Sequence, residues 1–243
     1  MYTYKGIQIN YYDNKKNTDK VIIALHGWGQ NIEMMQPLTN AFEKEYRIII
    51  LDLPGHGLSK EPKEVLCVED FCKIIRTFVV DKKIKKPILI GHSFGGKIAL
   101  LYASKYEIEK LVLLAPTYKK TTKKASIRVR VAKKLKFIPI FNQYLNYLRN
   151  KLGSADYKNS SEMMRKIMVK HINTDVTNEI SKITVPSLIV WGDKDLAVDV
   201  SLAYELEKLI KDSGVVIYKN STHYAYLENL NNLKLVLKSF FDN

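Results

Sequence analysis

The stretch Ile90-Gly91-His92-Ser93-Phe94-Gly95-Gly96 decides how the rest of this 243-residue chain is read. It follows Pro87-Ile88-Leu89-Ile90, a short apolar run of the buried-strand type. It precedes Lys97-Ile98-Ala99-Leu100-Leu101-Tyr102-Ala103, which reads as a helix. A serine flanked on both sides by glycines two residues away, on a strand-to-helix turn, matches the G-x-S-x-G nucleophile-elbow pattern. So sharp a turn strains the serine backbone and requires neighbours without bulk, which accounts for Gly91 and Gly95. A plain structural turn between strand and helix is the alternative.

Working outward, apolar runs alternate with helical spacing. Tyr2 to Tyr12 alternates around Gly6 as an N-terminal hairpin would, and Asp13 to Lys20 is a polar turn. Val21-Ile22-Ile23-Ala24-Leu25, Arg47-Ile48-Ile49-Ile50-Leu51, Lys110-Leu111-Val112-Leu113-Leu114-Ala115 and Ser187-Leu188-Ile189-Val190-Trp191 are continuous apolar runs. Such runs suit strands covered on both faces. Helices are expected over 34–44, 69–81, 202–211 and 230–241, with a last strand at Val215-Val216-Ile217-Tyr218. This alternation predicts an α/β fold with a mostly parallel central sheet flanked by helices. It breaks at Pro116 and resumes at Pro186. Between them Ile127, Val131, Leu135 and Ile138 repeat at helical spacing, Pro139 interrupts, Tyr144, Leu148 and Leu152 restart it, and Met164, Ile167 and Met168 suggest a third helix. The expected organisation is a core of residues 1–116 and 186–243 with a helical lid, 117–185, inserted after the sixth strand.

The chain carries a net charge of +14, and residues 117–170 alone hold fifteen Lys and Arg against Asp156 and Glu162. The basic character therefore belongs to the insertion. No run approaches the roughly 18–20 apolar residues of a membrane span, and the first twenty residues contain no signal-peptide core. Cys67 and Cys72 fit neither a zinc spacing nor a disulfide framework, so no metal is expected, and the reading is a cytoplasmic protein.

A serine hydroxyl needs a base to take its proton and a third group to orient that base. With the elbow in mid-sheet, acid and base should follow in the order Ser…Asp…His, in loops at the carboxyl ends of later strands. For the acid, Trp191-Gly192-Asp193-Lys194-Asp195 follows the strand after the insertion. Asp195 is preferred because Asp193, beside Gly192, suits a turn. For the base, His26, His56 and His92 come too early and His171 lies in the insertion. His223 stands between the last strand and the last helix. The tetrahedral intermediate needs donors for its oxyanion. The backbone N–H of Phe94, after the nucleophile, is one candidate; that of Trp28, in His26-Gly27-Trp28-Gly29, is the other. His26, Trp28 and His92 are expected to border the substrate. Packing or turn roles are the bland alternatives for each.

His26-Gly27-Trp28-Gly29, Leu51-Asp52-Leu53-Pro54-Gly55-His56-Gly57-Leu58-Ser59, Gly91-His92-Ser93-Phe94-Gly95-Gly96, Trp191-Gly192-Asp193-Lys194-Asp195 and His223…Glu228 together resemble the α/β-hydrolase fold superfamily. The resemblance runs from about Val21 to Phe240 and is nearest to carboxylesterases of the biotin-pathway type, pimeloyl-carrier methyl ester esterases. It implies Ser93 as nucleophile, Asp195 orienting His223, Trp28 and Phe94 as oxyanion donors, and the insertion as a lid. One departure is Thr222, where relatives usually carry glycine, which bears on the path of the histidine loop.

The expected activity is serine hydrolysis of carboxylic esters or thioesters through an acyl-enzyme, with no cofactor. A carbon–carbon bond hydrolase or lyase, or a ligand-binding receptor with a slow triad, would use the same residues. Lys119, Lys120, Lys123, Lys124, Arg128, Arg130, Lys133, Lys134 and Lys136 surround the Ile127–Ile138 stripe. They form a solvated face, an attractant for an acidic carrier protein bearing the acyl group, or a dock for an anionic membrane surface. Nucleic acid is not expected, since no reading module is present.

Overall fold

The computed structural model describes residues 1–120 and 160–243. The five apolar runs are strands, flanked in the chain by helices. Two short strands, β1 (Tyr2–Tyr4) and β2 (Ile7–Ile9), form a separate antiparallel hairpin. A seven-stranded sheet contains β3 (Tyr11–Asp13), β4 (Val21–Leu25), β5 (Arg47–Leu51), β6 (Ile88–His92), β7 (Leu111–Leu114), β8 (Ser187–Gly192) and β9 (Ser213–Tyr218). Their order is β3-β5-β4-β6-β7-β8-β9, and every pairing is parallel except β3 with β5.

Successive side chains of a strand point to opposite faces, and here both faces are buried. Along β4, Val21, Ile23 and Leu25 enter one core and Ile22 and Ala24 the other. The first core is covered by α2 (Val68–Asp81), α3 (Ser93–Ala103) and, in chain order beyond the insertion, a helix over Ser201–Leu209. The second is covered by α1 (Ile32–Thr39) and the C-terminal helix over Leu230–Asp242. Between β7 and β8 the described part of the insertion holds α4 (Glu162–Asn173) and the single turn α5 (Thr177–Ile180). The helix over Ser201–Leu209 is then α6, a short turn at Ala225–Glu228 is α7, and the C-terminal helix is α8.

Three expectations shift. The second arm of the hairpin divides at Asn10, whose amide N–H donates to Ser59 Oγ (2.8 Å) and whose Nδ2 donates to Asp52 Oδ2 (2.8 Å). Beyond it β3 pairs with β5, so the insertion follows the seventh strand rather than the sixth. The first helix starts earlier than expected, at Ile32, because the Asn31 side chain accepts the Glu33 N–H as an N-cap (3.0 Å), and it tightens into a 3₁₀ turn at Asn40–Phe42. The apolar stripes expected at Ile127–Ile138 and Tyr144–Leu152, and the basic residues from Lys123 to Lys136, lie outside the described residues. The base of the insertion is described: Val176 N–H donates to Tyr118 O (3.0 Å) and Lys120 N–H to Asp175 Oδ2 (3.3 Å), closing the outgoing chain on the returning one.

Connections from the central β4 run first to β5 on one side and then, through β6, to the other. A reversal of this kind places ligands at the carboxyl ends of the strands, here those of β4 and β6. Leu25 pairs with Gly91 across these strands, so the loops after both emerge side by side. A buried carboxylate braces one side: Asp52 is 2% exposed and accepts from Asn10 Nδ2 (2.8 Å), Ile32 N (2.8 Å) and Leu58 N (2.9 Å). Bonds to a charged acceptor are stronger than neutral ones, and stranding their donors is costly. Asp52→Ala is expected to lower the urea-derived unfolding free energy by about 3 kcal/mol; a loss under about 0.5 kcal/mol, the range of ordinary surface changes, would contradict this bracing role.

Candidate active site

Ser93 is the first residue of α3 and has φ of +49°, the left-handed region that a side chain rarely occupies. The turn is held by contacts that exclude side chains around it. A Cβ on Gly95 would lie 2.3 Å from Leu25 O, and one on Gly91 would lie 2.6 Å from Gly95 O. Gly95 N–H donates to His26 O (3.1 Å), tying the elbow to the loop after β4. Phe94, second in the helix, has no carbonyl four residues back within that helix, so its N–H lacks an intrahelical acceptor.

Asp195 and His223 meet, although 28 residues separate them. His223 Nδ1 lies 2.7 Å from Asp195 Oδ2, while Asp195 Oδ1 accepts from Ala197 N (2.8 Å) and Val198 N (2.9 Å). The Asp195 side chain is fully buried and that of His223 is 15% exposed, so the imidazole keeps access to solvent and the carboxylate does not. Trp191 Nε1 donates to Val198 O (3.1 Å) and secures the acid's loop. Asp193 is not the partner of His223; its amide N–H donates to Tyr218 O (3.1 Å). The two loops touch backbone to backbone: a Cβ on Gly192 would lie 2.2 Å from Ser221 O, and Lys194 N–H donates to that oxygen (2.9 Å). Thr222, the departure noted above, donates its N–H and Oγ1 to the Glu228 carboxylate and so caps the turn that follows His223.

His92 and His26 are both fully buried. His92 Nε2 donates to His223 O (3.1 Å), its Nδ1 faces the Gln30 side-chain amide (3.1 Å), and its ring lies 4.8 Å from that of His223. His26 Nε2 accepts Leu53 N–H (3.0 Å), which leaves the proton on Nδ1 for Gly27 O (2.7 Å). With both nitrogens engaged by backbone, His26 has none to offer a ligand. Its ring is committed to the loop after β4 and to Leu53. Burial, then the neighbouring His56, pushes the His26 pKa down to about 3. Burial, then His223, does the same to His92, also to about 3.

Trp28 is half-buried, with its indole edge-on to His56 (4.9 Å) and to Phe94 (5.3 Å). Two residues of this neighbourhood escaped the sequence reading. His171 on α4 lies parallel to the Trp28 indole (6.0 Å, 5°) and 4.2 Å from the Phe94 ring. Lys97 on α3 is fully buried and donates to two carbonyls of the insertion. The signal for His171 was available: it extends the inward stripe Met164, Ile167, Met168 by a further helical step. Lys97 carried none, since lysines on helices are ordinarily solvated.

Unfolded, His26 and His92 titrate near 6.5. Folded, they bind a proton only near 3. Between those values the unfolded chain holds more protons, so this contribution to stability is complete above about pH 6.5 and is lost as pH falls towards 3. Urea midpoints should therefore fall steadily below about pH 6.5, and His92→Gln should make the fall shallower. An unchanged slope in that variant would contradict the buried neutral imidazole.

The chain matches the family model for the α/β hydrolase fold over residues 20–130. A monoacylglycerol lipase of Bos taurus, ABHD6, is 28% identical over 85% of this chain and 71% of its own. A pimeloyl-[acyl-carrier protein] methyl ester esterase of Aliivibrio fischeri is 21% identical over 91% of this chain and 93% of its own. Among solved structures, an α/β hydrolase enzyme from a deep-sea metagenome library of the Medee basin superposes with a TM-score of 0.80, at 18% identity, over 100% of this chain and 97% of that one. Matched along the elbow half by the family model and across the sheet by its relatives, the chain has the α/β-hydrolase fold and is similar to enzymes of that superfamily.

Proposed function

We propose that the protein hydrolyses carboxylic esters or thioesters through an acyl-enzyme on Ser93. The observation that carries this reading is the 2.7 Å hydrogen bond from His223 to Asp195, in a ring packed on the residue that precedes the elbow serine. Ser93 Oγ attacks the acyl carbonyl as His223 Nε2 takes its proton. The Asp195 carboxylate holds the Nδ1–H and stabilises the imidazolium that forms. The oxyanion accepts from the Trp28 and Phe94 N–H groups. Collapse expels the alcohol or thiol, which leaves with the proton from His223. Water, activated by the same histidine, then releases the acid and restores the serine. His26 and Gln30 act behind these groups: Gln30 Oε1 accepts Gly27 N–H (2.9 Å), and the His26 ring pins the same loop. His92 borders the site by holding the His223 backbone.

Residues 117–185 are the proposed lid, and the substrate is a small or carrier-borne acyl group. The relative that acts on a pimeloyl-[acyl-carrier protein] methyl ester supports the carrier-borne version, as does the concentration of positive charge in 117–170. A cytoplasmic location is part of this reading, since the free thiols of Cys67 and Cys72 suit a reducing compartment. Among the described residues no helix is long and apolar enough to cross a membrane.

Purified protein is expected to turn over short p-nitrophenyl esters, with Ser93→Ala and Asp195→Asn each lowering kcat by about 10⁴-fold or more. Ester turnover that survives Ser93→Ala overturns the nucleophile. Faster turnover of a vinylogous diketone than of any ester would instead favour carbon–carbon cleavage. For an acyl group on an acidic carrier, kcat/KM should fall about tenfold between 50 and 300 mM salt while the free ester is unaffected. Equal salt dependence for the two substrates would remove the carrier.

A further inference from the structure

Lys97 lies one helical turn after Ser93 and is fully buried, yet its ammonium faces backbone oxygen on the far side of a 74-residue gap in the chain. Nζ donates to His171 O (2.9 Å) and Thr174 O (2.7 Å), the carbonyls at the C-terminal end of α4. A helix C-terminus carries partial negative charge and unpaired carbonyls, so a cation there satisfies both. The bond fastens the helix that carries Ser93 to the helix of the insertion that carries His171.

The His171 side chain lies on the other side of the same junction. The residue is 6% exposed and packs on Phe94 (4.2 Å) and Trp28 (6.0 Å, 5° between planes), whose N–H groups are the proposed oxyanion donors. Its Nδ1 is buried and has no hydrogen-bond partner. Burial and the neighbouring Lys97 charge hold its pKa well below the usual histidine value, so the ring is a neutral plate. Phe94 is itself fully buried against Phe71 (5.0 Å), leaving its position little freedom once His171 closes the remaining side.

We propose that His171, pinned through its carbonyl by Lys97, is a positioning residue that fixes the Trp28 and Phe94 amides for the oxyanion. The proposal rests on the acyl-enzyme reading above. Displacing a catalytic group by about 1 Å is enough to cost up to about 10²-fold in rate, so a brace acts on kcat rather than on substrate affinity.

The test measures p-nitrophenyl ester kinetics, thermal unfolding and acrylamide quenching for His171→Ala, His171→Phe, Lys97→Met and Ser93→Ala. His171→Ala is expected to lower kcat about tenfold with KM within about twofold. His171→Phe keeps the plate without the unpaired nitrogen, so kcat stays within about twofold and the melting temperature does not fall. Lys97→Met fills similar space without burying an ammonium, so it should keep or raise the melting temperature while lowering kcat by about threefold or more. That opposition of stability and rate is not expected from a packing role. The chain has two tryptophans and Trp191 is fully buried, so quenching should rise in His171→Ala and Lys97→Met through Trp28 alone. Wild-type kcat in His171→Ala or Lys97→Met overturns the brace. If His171→Ala fails to fold, Lys97→Met and His171→Phe decide the matter. Ser93→Ala separates the layers: its inactivity beside a fully active Lys97→Met removes only the brace, whereas activity in Ser93→Ala removes the acyl-enzyme reading and the brace with it.

Discussion

Backbone against backbone at the end of β6 is the constraint on which the rest depends. Ser93 is held at φ +49° while Gly95 packs where a Cβ would stand 2.3 Å from Leu25 O and 2.6 Å from His26 O. This approach is possible only because β4 and β6 are neighbours in register, Leu25 beside Gly91. It brings the first turn of α3 against the loop that carries Trp28, and the Gly95-to-His26 hydrogen bond records the contact. A strained φ of this kind persists only where surroundings over-determine it. Here they do so from both faces of the sheet, through cores in which every residue of β4, β6, β7 and β8 is buried.

Around that junction, several buried polar groups are held chiefly by backbone partners. His26 joins Leu53 to Gly27, His92 reaches the carbonyl of His223, and Asp52 collects three donors from separate segments. Lys97 and Lys110 close the carboxyl ends of α4 and α8, Lys110 through Phe240 O (2.7 Å) and Phe241 O (3.0 Å). Each group replaces the water it loses with a fixed partner, which is what makes burial tolerable. His223 differs from these. One ring nitrogen is held by Asp195 and the ring keeps some exposure, which suits the proton transfer proposed for it.

Most of the core was legible because parallel strands covered on both faces appear as uninterrupted apolar runs, and those at Val21–Leu25, Arg47–Leu51, Leu111–Leu114 and Ser187–Gly192 are strands. Boundaries were less legible where a side chain competes with the ladder or starts a helix. Asn10 splits a strand by bonding to Asp52, and Asn31 caps α1, which begins two residues before the expected start. Within the candidate site, chain order indicated His223 and Asp195, and tertiary packing brings these two together while turning Asp193 elsewhere. His26 was expected to border the substrate; that both its ring nitrogens engage backbone was not legible, because its neighbour in space, Leu53, is 27 residues away. Lys97 was invisible for the same reason, since its meaning is a contact between α3 and α4 that no local pattern encodes, whereas His171 continued a legible helical stripe.

The central claim is that this junction makes one hydroxyl in the chain a nucleophile. The most direct measurement is intact and peptide mass spectrometry after brief exposure to a fluorophosphonate, with denatured protein as the control. The account predicts a single adduct, located on Ser93, formed only by the folded protein and about 10²-fold or more slower when His223 is replaced by alanine. An unmodified folded protein, or an adduct on another residue at a rate indifferent to His223, would contradict it.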